Sequence, residues 1–105
     1  MKELMPLQRL WAEVFGRPGE QVPPLDRGKV LAIVDGLPDE RERIAVRLRF
    51  GFDEAPLTME QIGKRLPRAD GSLGVTRARA RAILAMALRH LRHSSRRRSW
   101  EEARI

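Results

Sequence analysis

The stretch from Leu57 to His93, LTMEQIGKRLPRADGSLGVTRARARAILAMALRHLRH, limits the possible folds more than any other part of the chain. It predicts two helices. Thr58 followed by Gln61 is a capping box, in which the threonine hydroxyl and the glutamine side chain each satisfy an orphan backbone N–H. Leu57 before the cap and Ile62 inside the helix have the spacing of a hydrophobic staple. Thr76 is a good N-cap for a second helix, an alanine- and arginine-rich run of high helix propensity. In that run Ala80, Ile83, Leu84, Ala87, Leu88 and Leu91 recur at helical spacing and form one apolar stripe. Arg77, Arg81 and Arg89 fall outside it. A short helix, a connection and a longer basic helix are the plan of a helix-turn-helix, whose second helix reads DNA in the major groove.

The charge distribution agrees with that plan. Residues 1–61 carry nine Lys/Arg and eleven Asp/Glu, and residues 62–105 carry twelve and three, so the halves have net charges of −2 and +9. Charge scattered evenly implies no more than a solvated surface, whereas a split that coincides with the basic helix points to a polyanion partner. Most of the positive charge is arginine, whose planar fork suits bidentate contact with phosphate and guanine.

The remaining chain reads as further helices. Residues 4–15 form an N-terminal helix with Leu4, Leu7, Leu10, Trp11, Val14 and Phe15 near one face. This stripe packs on the domain or, as a sharper alternative, docks a partner. RPGEQVPPLD reads as an irregular connector. Asp26 caps a helix over 27–35, and Gly36 stops it. Pro38 takes the first position of a helix over 38–50, with Asp39 and Glu40 at the positive end of its dipole, and Gly51 ends it. The helix following Thr58 spans 59–66, and the basic helix spans 76–92. Gly63 costs the shorter helix about 1 kcal/mol relative to alanine, which implies close approach to its neighbour. The expected fold is therefore all-α, with a core of Ile62, Leu66, Val75, Ile83, Leu84, Leu88 and Leu91 closing on Val34 and Leu48. Three segments are expected: 1–25 (helix and connector), 26–96 (the helix-turn-helix domain) and 97–105 (a basic tail). In SSRRRS, Arg96, Arg97 and Arg98 read as a flexible, exposed tract suited to backbone contact. Ser99 with Glu102 reads as a second capping box for a short helix, with Trp100 either covering the core or exposed in the tail.

Three segments taken together, GLPDERERIAVRLRFGF, LTMEQIGKRL and GVTRARARAILAMALRHLRHSSR, resemble region 4 of the sigma-70 family. Its members are the bacterial initiation factors that guide RNA polymerase to promoters. The resemblance covers about residues 30–96 and has its parts in the family order. It implies that Arg77 and Arg81 contact bases and phosphates, and that Arg79 touches backbone phosphate. With Thr76, Ala78 and Ala82 these form the candidate DNA-facing set. Ala78 and Ala82 depart from the family, which commonly has Glu and Gln there. Alanine offers only a thymine-methyl contact, so preference for the familiar −35 hexamer is weakened. A second departure is PRADGSL between Leu66 and Gly74, which lengthens the turn. Its Arg68 either reaches a phosphate or belongs to a tolerated surface loop. Arg96 completes the set as a phosphate contact.

The resemblance also implies docking on RNA polymerase, with the tip of the β-subunit flap held in an apolar groove supplied by Val30–Val34 and Ile44–Phe50. An anti-sigma or other regulatory protein is a further expected partner. The family's promoter-melting region is lacking, so initiation by this chain alone is not expected. Two other readings remain: a DNA-binding regulator without polymerase contact, and a protein-interaction module with weak DNA binding. The residues do not suggest an enzyme, a cofactor or a metal site. No serine sits in a nucleophile elbow, no Gly-rich phosphate loop follows a strand, and His90 and His93 stand in a cationic run without cysteines. The absence of cysteine and of any long apolar run suits a cytoplasmic, nucleoid-associated protein without membrane contact.

Overall fold

The computed structural model describes residues 6–18 and 21–105. Helices α1 (Pro6–Phe15), α2 (Arg27–Asp35), α3 (Glu40–Phe50), α4 (Met59–Arg65) and α5 (Arg77–Arg92) follow in order. A 3₁₀ turn (Ser94–Arg96) then leads into α6 (Arg97–Glu102). The described residues form no β-strand, only two isolated bridges. The fold is all-α, as expected. Of the N-terminal stripe, Leu4 lies outside the described residues.

Local chemistry accounts for the helix ends. Asp26 accepts a hydrogen bond from the Lys29 N–H, and Thr58 and Gln61 form the reciprocal capping box, with bonds of 2.9 and 3.2 Å. Leu66, directly before Pro67, is extended (φ −85°, ψ 135°) and ends α4, because the proline ring disfavours helical geometry in the preceding residue. Pro38 does not take the first helical position. Asp39 is the N-cap of α3, its carboxylate accepting from the Arg41 N–H at 2.8 Å, so Pro38 lies one residue outside the helix. An aspartate side chain that satisfies an orphan donor outweighs a proline that merely tolerates one. Burial pushes the Asp39 pKa up, but the Arg41 hydrogen bonds and charge outweigh it, leaving the carboxyl below its ordinary value.

Helix α3 lies at the centre, against α5, α4, α2 and α1. Val30, Val34, Val46, Ile62, Leu66 and Leu91 are fully enclosed, with Leu48, Ile83 and Leu84 nearly so, while Val75 and Leu88 are only half-buried at the margin. Arg47 ties the layers together. Its guanidinium donates to both carboxylate oxygens of Asp35 (3.1 and 2.8 Å) and to Asp53 (3.0 Å), joining α2 to the loop after α3. The Asp35 hydrogen bonds raise the Arg47 pKa, burial opposes this, and Asp53 adds to the rise.

Helix α1 packs on α5 and α3 through Leu7, Leu10, Trp11 and Val14, which supports the packing reading of its stripe. The C-terminal segment differs most from expectation. The 96–98 tract is not flexible coil but the end of the 3₁₀ turn and the start of α6, with Arg97 and Arg98 paired at i, i+4 with Glu101 and Glu102. Ser99 is no cap: it lies inside α6, whose N-cap is Arg96 without any side-chain capping bond. Trp100 is buried, stacked edge-on to Phe15 at 5.5 Å, and its indole N–H donates to the Leu91 carbonyl at 2.9 Å. The chain end then returns to the connector: Asp26 N–H bonds to Ala103 O and Ile105 N–H to Pro24 O.

Candidate nucleic-acid interface

Helices α4 and α5 meet at a glycine. A Cβ on Gly63 would stand 2.7 Å from the Val75 carbonyl oxygen, a distance no real Cβ tolerates against backbone. The Val75 N–H bonds to Gly63 O at 2.7 Å across the same contact. The closeness expected at this residue is therefore present, and it sets the angle at which α5 leaves the turn. Thr76 caps α5, its hydroxyl accepting from the Arg79 N–H at 3.1 Å.

The PRADGSL insertion leaves that turn intact. The Gly74 N–H bonds to Leu66 O at 2.9 Å, the Arg68 N–H bonds to Ser72 O at 2.7 Å, and Pro67 and Leu73 form an antiparallel bridge. The added residues leave and re-enter the chain at nearly the same place, as a small hairpin with Asp70 and Ser72 hydrogen-bonded at its tip. Arg68 Nε donates to the Gly74 carbonyl, so this side chain folds back onto its own loop.

At the start of α5, Thr76, Arg77, Ala78, Arg79, Arg81 and Ala82 are all exposed, while Ala80 is fully buried on the opposite side. Among the described residues, no carboxylate pairs with Arg77, Arg79 or Arg81. Their guanidinium groups thus face solvent beside two methyl groups. Arg96 is not brought to this end. A helix of 16 residues is about 24 Å long, and Arg96 lies beyond its far terminus. There it donates to the His90 carbonyl at 3.1 Å. With the Trp100 indole on Leu91 O, it brings a side-chain donor to the carbonyl end of α5, where His90 O also accepts from the His93 N–H at 3.2 Å.

One contact that fixes α5 was not evident in the sequence. Glu42 of α3 is 5% exposed, and its Oε1 lies 2.7 Å from His90 Nδ1 on α5. A carboxylate only accepts, so the ring presents Nδ1–H to it. The residues are 48 positions apart, and nothing local marks either as a partner. His90→Ala leaves a buried acceptor without its donor and is expected to cost about 1–3 kcal/mol. Urea unfolding checks this, and Glu42→Gln combined with His90→Ala should recover part of the loss.

An intact helix-turn-helix that presents arginines without carboxylate partners on its second helix has the form of a DNA-binding domain. The family model for sigma-70, region 4, matches residues 35–93, and the chain belongs to that family. RNA polymerase sigma factor SigA of a Bacillus species is 50% identical over 58 residues, covering 54% of this chain and 14% of that protein. SigA of Listeria monocytogenes serovar 1/2a (strain EGD-e) is 45% identical over 65 residues, 61% of this chain and 15% of that protein. The chain thus spans only a small fraction of the length of these curated relatives.

Proposed function

We propose that the chain recognises promoter DNA of the −35 type through the first turns of α5 and docks on RNA polymerase at the tip of the β-subunit flap. The observation that carries the DNA half is the arginine face of α5, free of carboxylates and held at a fixed angle by the Gly63–Val75 contact. Arg77 and Arg81, at i, i+4, lie on one side of the helix where helix-turn-helix proteins meet base edges. Ala78 and Ala82 add no hydrogen bonds, so guanine contact and phosphate affinity dominate over a full hexamer code. The polymerase half is supported by both relatives being RNA polymerase sigma factors. It is also supported by Leu31 and Ile44, which stay only partly buried where α2 and α3 offer apolar surface. A pull-down on RNA polymerase with and without the flap tip tests this half. Capture that does not need the tip, or no capture at all, would leave a DNA-binding regulator.

Arg81→Ala is expected to cost about 1–3 kcal/mol on a preferred duplex and to flatten the difference between preferred and scrambled duplexes. The check is a binding titration on both duplexes at several salt concentrations. Each phosphate contact adds about −0.9 to the slope of log affinity against log salt. An equal loss on both duplexes would make Arg81 a phosphate contact rather than a base reader.

A further inference from the structure

The far end of α5 holds a second basic feature, apart from the DNA face. A cleft of about 600 Å³ opens between the C-terminal ends of α1 and α5 and the side of α6. Its walls carry four arginines, Arg17, Arg92, Arg97 and Arg104, against one carboxylate, Glu101, and its floor includes Phe15 and Trp100. The lining residues of α1 and α6 lie outside the matched segment 35–93, while Arg92 and His93 lie at its end. The volume falls within the roughly 300–1,000 Å³ of small-molecule sites and is too confined for a duplex.

We propose that this cleft binds a phosphate-bearing small molecule of nucleotide size. Guanidinium groups are forked donors that grip phosphate bidentately, and several around one concavity match a ligand with more than one phosphate. Phe15, only partly buried there, gives a planar or apolar body an aromatic surface to cover, which a bare inorganic anion leaves unused. Arg97 is the least available of the four, since it faces Glu101 at 3.7 Å. Arg92 leans on the Val14 carbonyl at 3.5 Å, which places its guanidinium at the junction of α1 and α5. A bound phosphate there bridges the two helices.

The chain offers its own probe. It has two tryptophans, Trp11 and Trp100, and both line the cleft, so intrinsic fluorescence reports on it directly. The experiment titrates the whole chain with ATP, GTP, inorganic tripolyphosphate and an oligoglutamate peptide, following tryptophan emission. A saturable change with a nucleoside triphosphate is expected, at least fivefold tighter than with tripolyphosphate. Arg104→Gln and Arg92→Gln should each weaken it tenfold or more, with circular dichroism confirming an unchanged fold. Arg77→Gln combined with Arg81→Gln, on the DNA face, should leave it unchanged, so failure here is distinct from failure of the promoter reading. The proposal is overturned by no saturable change, by equal weakening from the DNA-face variant, or by oligoglutamate binding as tightly as the nucleotide. Tripolyphosphate binding as tightly as nucleotide would overturn the role of the aromatic floor.

Discussion

Trp100→Ala is expected to destabilise the protein by about 3–5 kcal/mol, a large share of the stability available to a domain of this size. Trp100 is 4% exposed, packs edge-on against Phe15, and donates its indole N–H to Leu91 O. Its removal creates a cavity between α1, α5 and α6 and also leaves one of the last α5 carbonyls without a donor. Urea unfolding followed by circular dichroism measures the loss. Trp100→Phe should lose less, since it keeps most of the buried area and forfeits the hydrogen bond. A Trp100→Ala midpoint equal to that of the parent would mean that α6 docks without contributing to cooperative stability.

Gly63→Val is the second large effect. The added atoms meet the Val75 carbonyl, which is backbone and cannot rotate away. Either α4 and α5 separate or the turn is remodelled, at a cost on the order of 3 kcal/mol, the upper end of what overpacking usually imposes. The same displacement re-aims α5, so duplex binding should fall well beyond the loss in stability, even under conditions where the variant is folded. Unfolding and low-salt duplex titration on one preparation separate the two. Gly63→Ala carries only the Cβ and gains helix propensity of about 1 kcal/mol, so it should fall between parent and valine. Full duplex affinity in folded Gly63→Val would show that the Gly63–Val75 contact does not govern how α5 meets DNA.

Both predictions rest on contacts of different legibility. The Gly63 contact was foreseeable, because a glycine inside a short, well-capped helix costs stability unless something crowds it. The Trp100 contact was not. A tryptophan after RRR reads equally as a core residue or a frayed end. The hydrogen bond that decides the matter goes to a carbonyl at the end of another helix, and a carbonyl carries no residue-type signal.

Amino-acid order alone determined the helix-turn-helix: the Thr58–Gln61 box, the Thr76 cap, the buried stripe from Ala80 to Leu91, and the arginines kept off that stripe. Caps and periodicity act within four residues, so they are written in the local sequence. Only the tertiary structure decided the rest. The PRADGSL segment closed on itself, because Gly74 N–H found Leu66 O. Arg96 turned to the end of α5, and Glu42 was buried against His90. These bonds join residues six or more positions apart, so which partner was near depended on how the chain packed, and for buried Glu42 a partner was obligatory.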